Sequence, residues 1–286
     1  MNSSLIRFDW AMKRLLRQKS NFVILEGFLS VLLKDSIKIE QILESESNQE
    51  TQEDKFNKVD ILAQNAQNEL IIIEVQNNKQ LDYFQRMLYG VSKVTSEYLN
   101  LGEPYSKIKK VYSVNIVYFD LGQGKDYVYH GKTEFVGIHQ GDRLTLSEKQ
   151  QELFERKELF QLFPQYYVLK INNFDNLAHD NLDEWVYYLK NNQVPEGAKA
   201  QGLKEVEEYL KVQQLNESDQ TDYYRHLEND RLAISLLDTA RIEGRSEGKL
   251  EGKIETARNL KKLGILTNEQ IAQVTGLSLA EVNILL

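Results

Sequence analysis

Asp60, Glu74 and Gln76 are the side chains whose types and spacing point most directly to chemistry in this chain of 286 residues. The segment from Lys58 to Gln76 reads as a hairpin, with one strand from Val59 to Gln64 and the other from Leu70 to Gln76. Between them, Asn65-Ala66-Gln67-Asn68-Glu69 supplies residues that tolerate turn backbones. A loop centred on Gln67 pairs Gln64 with Leu70, and therefore Asp60 with Glu74. Directly opposed residues on antiparallel strands share a face, with Cβ atoms about 5 Å apart. Gln76, two residues beyond Glu74, joins them there. Ile71, Ile73 and Val75 fill the other face. The run Leu70-Ile71-Ile72-Ile73 is apolar on both sides, as a covered central strand would be. Two carboxylates at the end of such a strand pair are costly unless a cation neutralises them. Hard divalent cations prefer carboxylate oxygens, so the chemistry to expect is metal-assisted.

The elements that must position this face can be read on either side of it. Phe8 to Arg17 has helical spacing through Phe8, Met12, Leu15 and Leu16, with Asp9 near the positive end of the helix dipole. Asn21 is placed to cap a second helix whose inward residues are Phe22, Leu25, Phe28, Leu29 and Leu32. Ile37 to Leu43 alternates as a strand. After the hairpin, Leu81 to Asn100 reads as a helix contributing Leu81, Phe84, Leu88, Val91, Val94 and Leu99, and stopped by Gly102 and Pro104. Val111 to Phe119 is a near-continuous β run. Tyr127 to Ile138 is mixed in polarity, which suits an edge, and Tyr166 to Ile171 supplies a last strand. The order helix, strand, hairpin, helix, strand predicts an α/β domain in which helices flank a mixed sheet.

From Asp180 onward the pattern is helical: Leu182 to Asn191, Leu203 to Gln214, and one long helix from Ser218 to Arg258. Residues 243 to 258 repeat every four positions, as Glu-Gly-Arg-Ser, Glu-Gly-Lys-Leu, Glu-Gly-Lys-Ile and Glu-Thr-Ala-Arg. On a helix each repeat drifts only about 40°, so acidic and basic stripes run on opposite sides. The glycines cost about 1 kcal/mol each against Ala. A partner helix would relieve both defects, and pairing with a second copy of the chain is expected; a solvated connector is the other reading. Thr267 with Gln270, then Ser278 with Glu281, form two capping boxes around Gly276. The spacing resembles a helix-turn-helix, but the second helix carries no Arg or Lys with which to read DNA. A structural helical hairpin or an oligomerisation tip is therefore expected at 261–286.

Composition bounds the rest. The net charge of −8 excludes a nucleic-acid grip spread over the whole surface, so any such contact must be local. Zero Cys removes disulfides and thiolate metal sites, and a reducing cytoplasm is the simplest setting. No window approaches the roughly 20 apolar residues that a membrane span needs. His130, His139, His179 and His226 are scattered without ligand spacing.

Several of these features together resemble the PD-(D/E)XK nuclease superfamily, and within it the recombination-promoting nucleases or putative transposases. The resemblance is carried by Phe8-Asp9 with Lys13, Lys55 ahead of Asp60, Asp60-Ile61-Leu62-Ala63, and Ile73-Glu74-Val75-Gln76. Arg86, Tyr89 and Gly102-Glu103-Pro104-Tyr105 follow, and then the Glu-Gly-Lys repeats and the Ile-Ala-x-x-Thr-Gly-Leu-Ser tail. It covers the first half most fully, and 142–215 contributes little. The resemblance implies a restriction-endonuclease-like fold over 1–175; the residue pattern then gives a helical connection over 176–216, a long helix over 217–260 that is expected to dimerise, and the small hairpin over 261–286. It implies a DNA endonuclease that uses Mg²⁺, with Mn²⁺ as a substitute, acting in transposition, recombination or mobile-element defence. Asp60, Glu74 and Gln76 would be the catalytic set. Asp60, Glu74, the Val75 carbonyl and Asp9 would be metal ligands, while Lys13, Lys55 and Arg86 would hold phosphate. Gln76 stands where many superfamily members carry Lys, and Val59 stands in place of Pro. Gln76 cannot take a proton at neutral pH, so an inactive nuclease fold that binds DNA or protein is the competing expectation.

Overall fold

The computed structural model describes residues 5–43 and 59–285. The chain divides into two compact units between Asn216 and Glu217. In the first, chain order runs α1 (Phe8–Arg14), α2 (Phe22–Leu33), β1 (Ile39–Leu43), β2 (Ile61–Asn65), β3 (Leu70–Gln76), α3 (Tyr83–Glu97), β4 (Val111–Val117) and β5 (Val128–Gly131). It continues with α4 (Glu148–Phe154), β6 (Gln165–Lys170), α5 (Asn181–Asn191) and α6 (Leu203–Tyr209). The second unit holds α7 (Glu217–Leu263), α8 (Asn268–Thr275) and α9 (Leu279–Ile284). No helix among the described residues is long and apolar enough to cross a membrane.

The six strands form one sheet in the order β1-β2-β3-β4-β6-β5. β1, β2 and β3 pair antiparallel, β3, β4 and β6 pair parallel, and β5 returns antiparallel at the edge. This is a mixed sheet with flanking helices and a helical C-terminal region, as expected from the order of elements. Leu70 to Ile73 are fully covered, which explains why that run shows no alternation. The hairpin register is the one that the loop dictates: Gln64 opposes Leu70 and Ile61 opposes Ile73. In the turn, Asn65 Oδ1 accepts the amides of Gln67 and Glu69 at 3.1 and 2.8 Å. Asn68 adopts φ 63°, a left-handed conformation that Asn tolerates better than most residues.

α3 covers the face that Leu62, Leu70 and Ile72 present, through Val91 and Val94. Its N-terminal half seats Tyr83 and Met87 against Val117, Phe119 and Val168. Val91 and Val94 turn inward as expected, but the N-terminal half of the helix buries a different row. Leu81, Phe84 and Leu88 are exposed, whereas Tyr83, Met87, Val91 and Val94 are buried. Both rows have helical spacing. The buried one wins because Tyr83 can enter the core with its hydroxyl bonded to Asn115 Oδ1 at 3.2 Å.

Three further expectations are corrected. The first helix ends at Arg14 rather than Arg17. Asn21 does not cap α2, because its amide donates to the Leu15 carbonyl at 2.9 Å instead. The edge strand stops at Gly131, after which Val136 makes only an isolated bridge with Arg143.

Residues 176–216 pack on α2 through α5 and α6. Phe8, Phe28, Trp185 and Tyr188 meet there with ring centroids 5.3 to 6.3 Å apart. The approach is so close that a Cβ on Gly27 would run into the Gln201 carbonyl. Gly27→Ala is therefore expected to destabilise by about 1–3 kcal/mol through overpacking. Nothing lies within 4 Å of a Cβ on Gly90 in α3, so Gly90→Ala is expected to stabilise by about 0.5–1 kcal/mol. Thermal unfolding of the two variants should move in opposite directions.

In the second unit, α7 runs for 47 residues, roughly 70 Å at 1.5 Å per residue. Near its end Ala257 packs against Ile271, Leu277 and Val282. Both expected capping boxes form, at Thr267–Gln270 and Ser278–Glu281. Lys253 donates to the Gly276 carbonyl at 3.2 Å, and Lys261 to those of Val282 and Leu285 at 2.9 and 2.6 Å. Two cations of the basic side of α7 thus satisfy carbonyls at the ends of α8 and α9. Glycines 244, 248 and 252 face open space.

Candidate active site

Asp60 immediately precedes β2, one register step beyond the Ile61–Ile73 pair, which sets it opposite Glu74. The main chain locks it there. Val75 N–H donates to Asp60 Oδ2 at 2.8 Å, and Arg17 Nη2 donates to the Asp60 carbonyl at 2.6 Å. Oδ1 has the Lys13 ammonium of α1 at 3.8 Å. Lys13 is about half exposed, so that pairing is screened and loosely held.

Glu74 sits deeper, with only 12% of its side chain exposed. Its Oε2 pairs with Arg86 Nη2 of α3 at 3.2 Å. Burial pushes its carboxyl up to about 6; the Arg86 cation opposes this, and the nearby Asp60 charge adds to it. Glu74 is thus mainly ionised at pH 7 but held in its charged form at a cost. Behind it, β4 presents Asn115 in direct register. The Asn115 amide donates to Ser113 Oγ at 2.9 Å, and its carbonyl receives the Tyr83 hydroxyl. Burial first, and then the Glu74 charge, push the Tyr83 phenol upward, so it stays a donor.

Gln76 lies on the same side of β3 as Glu74, and its Nε2 donates to the Asn78 carbonyl at 3.3 Å. Its Oε1 remains an acceptor. The Gln76 backbone carbonyl is used by Tyr118 N–H at 3.0 Å, on the β4 side. Strand alternation then turns the Val75 carbonyl the opposite way, to the side on which its own amide meets Asp60. Asp9 is tied to the end of β3 through Asn77, whose Nδ2 donates to Asp9 Oδ2 at 3.1 Å. Arg7 also grips that carboxylate, at 3.2 and 2.9 Å. Lys55 falls outside the described residues.

The donor set fits a divalent cation. It offers two carboxylates and one outward-turned carbonyl, all hard oxygens, at a place where Glu74 is charged against the preference of its surroundings. The structure thus brings Asp60, Glu74 and Gln76 to one end of the β2–β3 pair and sets Lys13 and Arg86 at its rim. Sequence reading misses three supports: the Arg86–Glu74 pair, the Arg17 hold on Asp60, and the Tyr83–Asn115 backing. Only Asn115 leaves a signal, as a polar residue interrupting the apolar run of β4 much as Glu74 interrupts β3.

The family model described as PD-(D/E)XK nuclease family transposase matches residues 6–240. The match runs through 142–215 and ends before the Glu-Gly repeats. No curated protein and no solved structure matches the chain.

Proposed function

The chain belongs to the PD-(D/E)XK nuclease family transposases, and from that membership we propose that it is a Mg²⁺-dependent DNA endonuclease whose centre is the Asp60–Glu74–Gln76 face. The observation that carries this reading is the Val75 N–H bond to Asp60. It fixes one carboxylate beside another at a sheet end, against their mutual repulsion, a pairing of hard oxygens that a divalent cation would relieve.

Hydrolysis of a phosphodiester needs an activated water, neutralised phosphate charge and a stabilised leaving oxygen. Bound Mg²⁺ supplies a water of lowered pKa and charge neutralisation. Asp60, Glu74 and the Val75 carbonyl would hold the ion. Gln76 would accept a hydrogen bond from the attacking water through Oε1 and so orient it, without taking its proton. Lys13 and Arg86, at the rim, would bind the phosphate oxygens. Asp9, held by Arg7 and Asn77, would bear on the site from the end of β3. Because Gln76 cannot take a proton, the chemistry must lean on the metal or on another base, or be slow.

Plasmid incubated with the full chain at pH 8 tests the proposal. Nicking or linearisation is expected with Mg²⁺ or Mn²⁺ and none in chelator. Absence of cleavage in every metal, with duplex binding retained, would favour the inactive DNA-binding reading.

A further inference from the structure

The family resemblance implies that Arg86 binds phosphate, yet the structure shows it paired with a carboxylate. Its Nη2 lies 3.2 Å from Glu74 Oε2. The rest of the guanidinium is weakly held, with Nη1 at 3.4 Å from Gln80 Oε1, and 29% of the side chain is exposed. Asp60 shows the same arrangement in weaker form, with Lys13 at 3.8 Å. Each candidate ligand carboxylate is therefore already faced by a cation of the chain itself.

A guanidinium stays charged at any working pH, and its fork fits carboxylate and phosphate equally well. A divalent cation on Glu74 would meet that fixed positive charge at ion-pair distance, and the repulsion is least screened around Glu74, of whose side chain only 12% is exposed. We propose that Arg86 and the divalent cation are alternative partners of Glu74, so that loading the cation releases the Arg86 guanidinium to a DNA phosphate. This inference rests on the proposed metal site. It adds that metal and DNA bind cooperatively, because a group displaced by one ligand is captured by the other, and such coupling is reciprocal.

Calorimetric titration of the full chain with Mn²⁺ at pH 8 tests this, using wild type, Arg86→Ala, Arg86→Gln and Arg86→Lys. Removing the competing charge should tighten Mn²⁺ binding on the order of tenfold in the Ala and Gln variants. Arg86→Lys should stay near wild type. A residue that merely supports the ligands would give the opposite sign, and two neutral variants guard against a folding defect in either. Duplex binding measured by fluorescence anisotropy supplies the second arm. Arg86→Ala should bind duplex more weakly than wild type in Ca²⁺ but equally in chelator. Mn²⁺ binding that is lost in Asp60→Asn yet no tighter in either neutral Arg86 variant overturns this inference alone. Absence of Mn²⁺ binding in wild type and Arg86 variants alike overturns the metal site and this inference with it.

Discussion

Glu74→Gln is expected to make the metal-free protein more stable at pH 8 while lowering DNA cleavage about a thousandfold, equivalent to about 4 kcal/mol of transition-state stabilisation. The two effects share one cause. The Glu74 carboxyl is raised from 4.5 to about 6, chiefly by burial. A group that binds its proton more tightly when folded stabilises the fold below its unfolded pKa. That contribution is lost as pH rises through the folded one. Between pH 4.5 and 6 the folded state therefore gives up about 2 kcal/mol, at 1.36 kcal/mol per pKa unit. Gln mimics the protonated form and restores this at pH 8, which corresponds to a rise in melting temperature on the order of 5 °C. It is also a poor ligand for a hard cation, so the activity goes. Thermal scans of wild type and variant in chelator, at pH 4 and pH 8, should show little difference at pH 4 and the full difference at pH 8. Equal stability at both values would mean that Glu74 is not strained.

Asp60→Ala is expected to abolish cleavage to the same degree but to move stability the other way. Asp60 accepts the Val75 amide at 2.8 Å. Val75 is buried, and deleting the acceptor leaves that N–H unpaired at a cost of about 1–3 kcal/mol. Asp60→Asn keeps an acceptor oxygen for the amide. It should therefore lose activity with little loss of stability. If Asp60→Ala unfolded at the wild-type temperature, the Val75 contact would not be what fixes Asp60.

Much of this site was legible because β-structure has a period of two and a hairpin loop sets its register. Once the Asn65–Glu69 turn is placed, the pairing of Gln64 with Leu70 follows, and the juxtaposition of Asp60 with Glu74 comes with it. The capping boxes at Thr267 and Ser278 were legible for a similar reason, since both partners lie within four residues. What could not be read depends on distant packing. α3 carries two apolar rows, and only the Asn115 partner on β4 decides that Tyr83 rather than Phe84 goes in. Asn21 has the right type and place for a cap, but a carbonyl six residues back takes its amide. The Arg86–Glu74 pair spans β3 and α3, and no local pattern in the sequence specifies it.

The reading of this protein as a metal-dependent nuclease is tested most directly by the anomalous scattering of crystals soaked in Mn²⁺. A peak is expected within about 2.5 Å of carboxylate oxygens of both Asp60 and Glu74, with the Val75 carbonyl as a further ligand. A soaked crystal with Mn²⁺ bound elsewhere and none between Asp60 and Glu74 would contradict it.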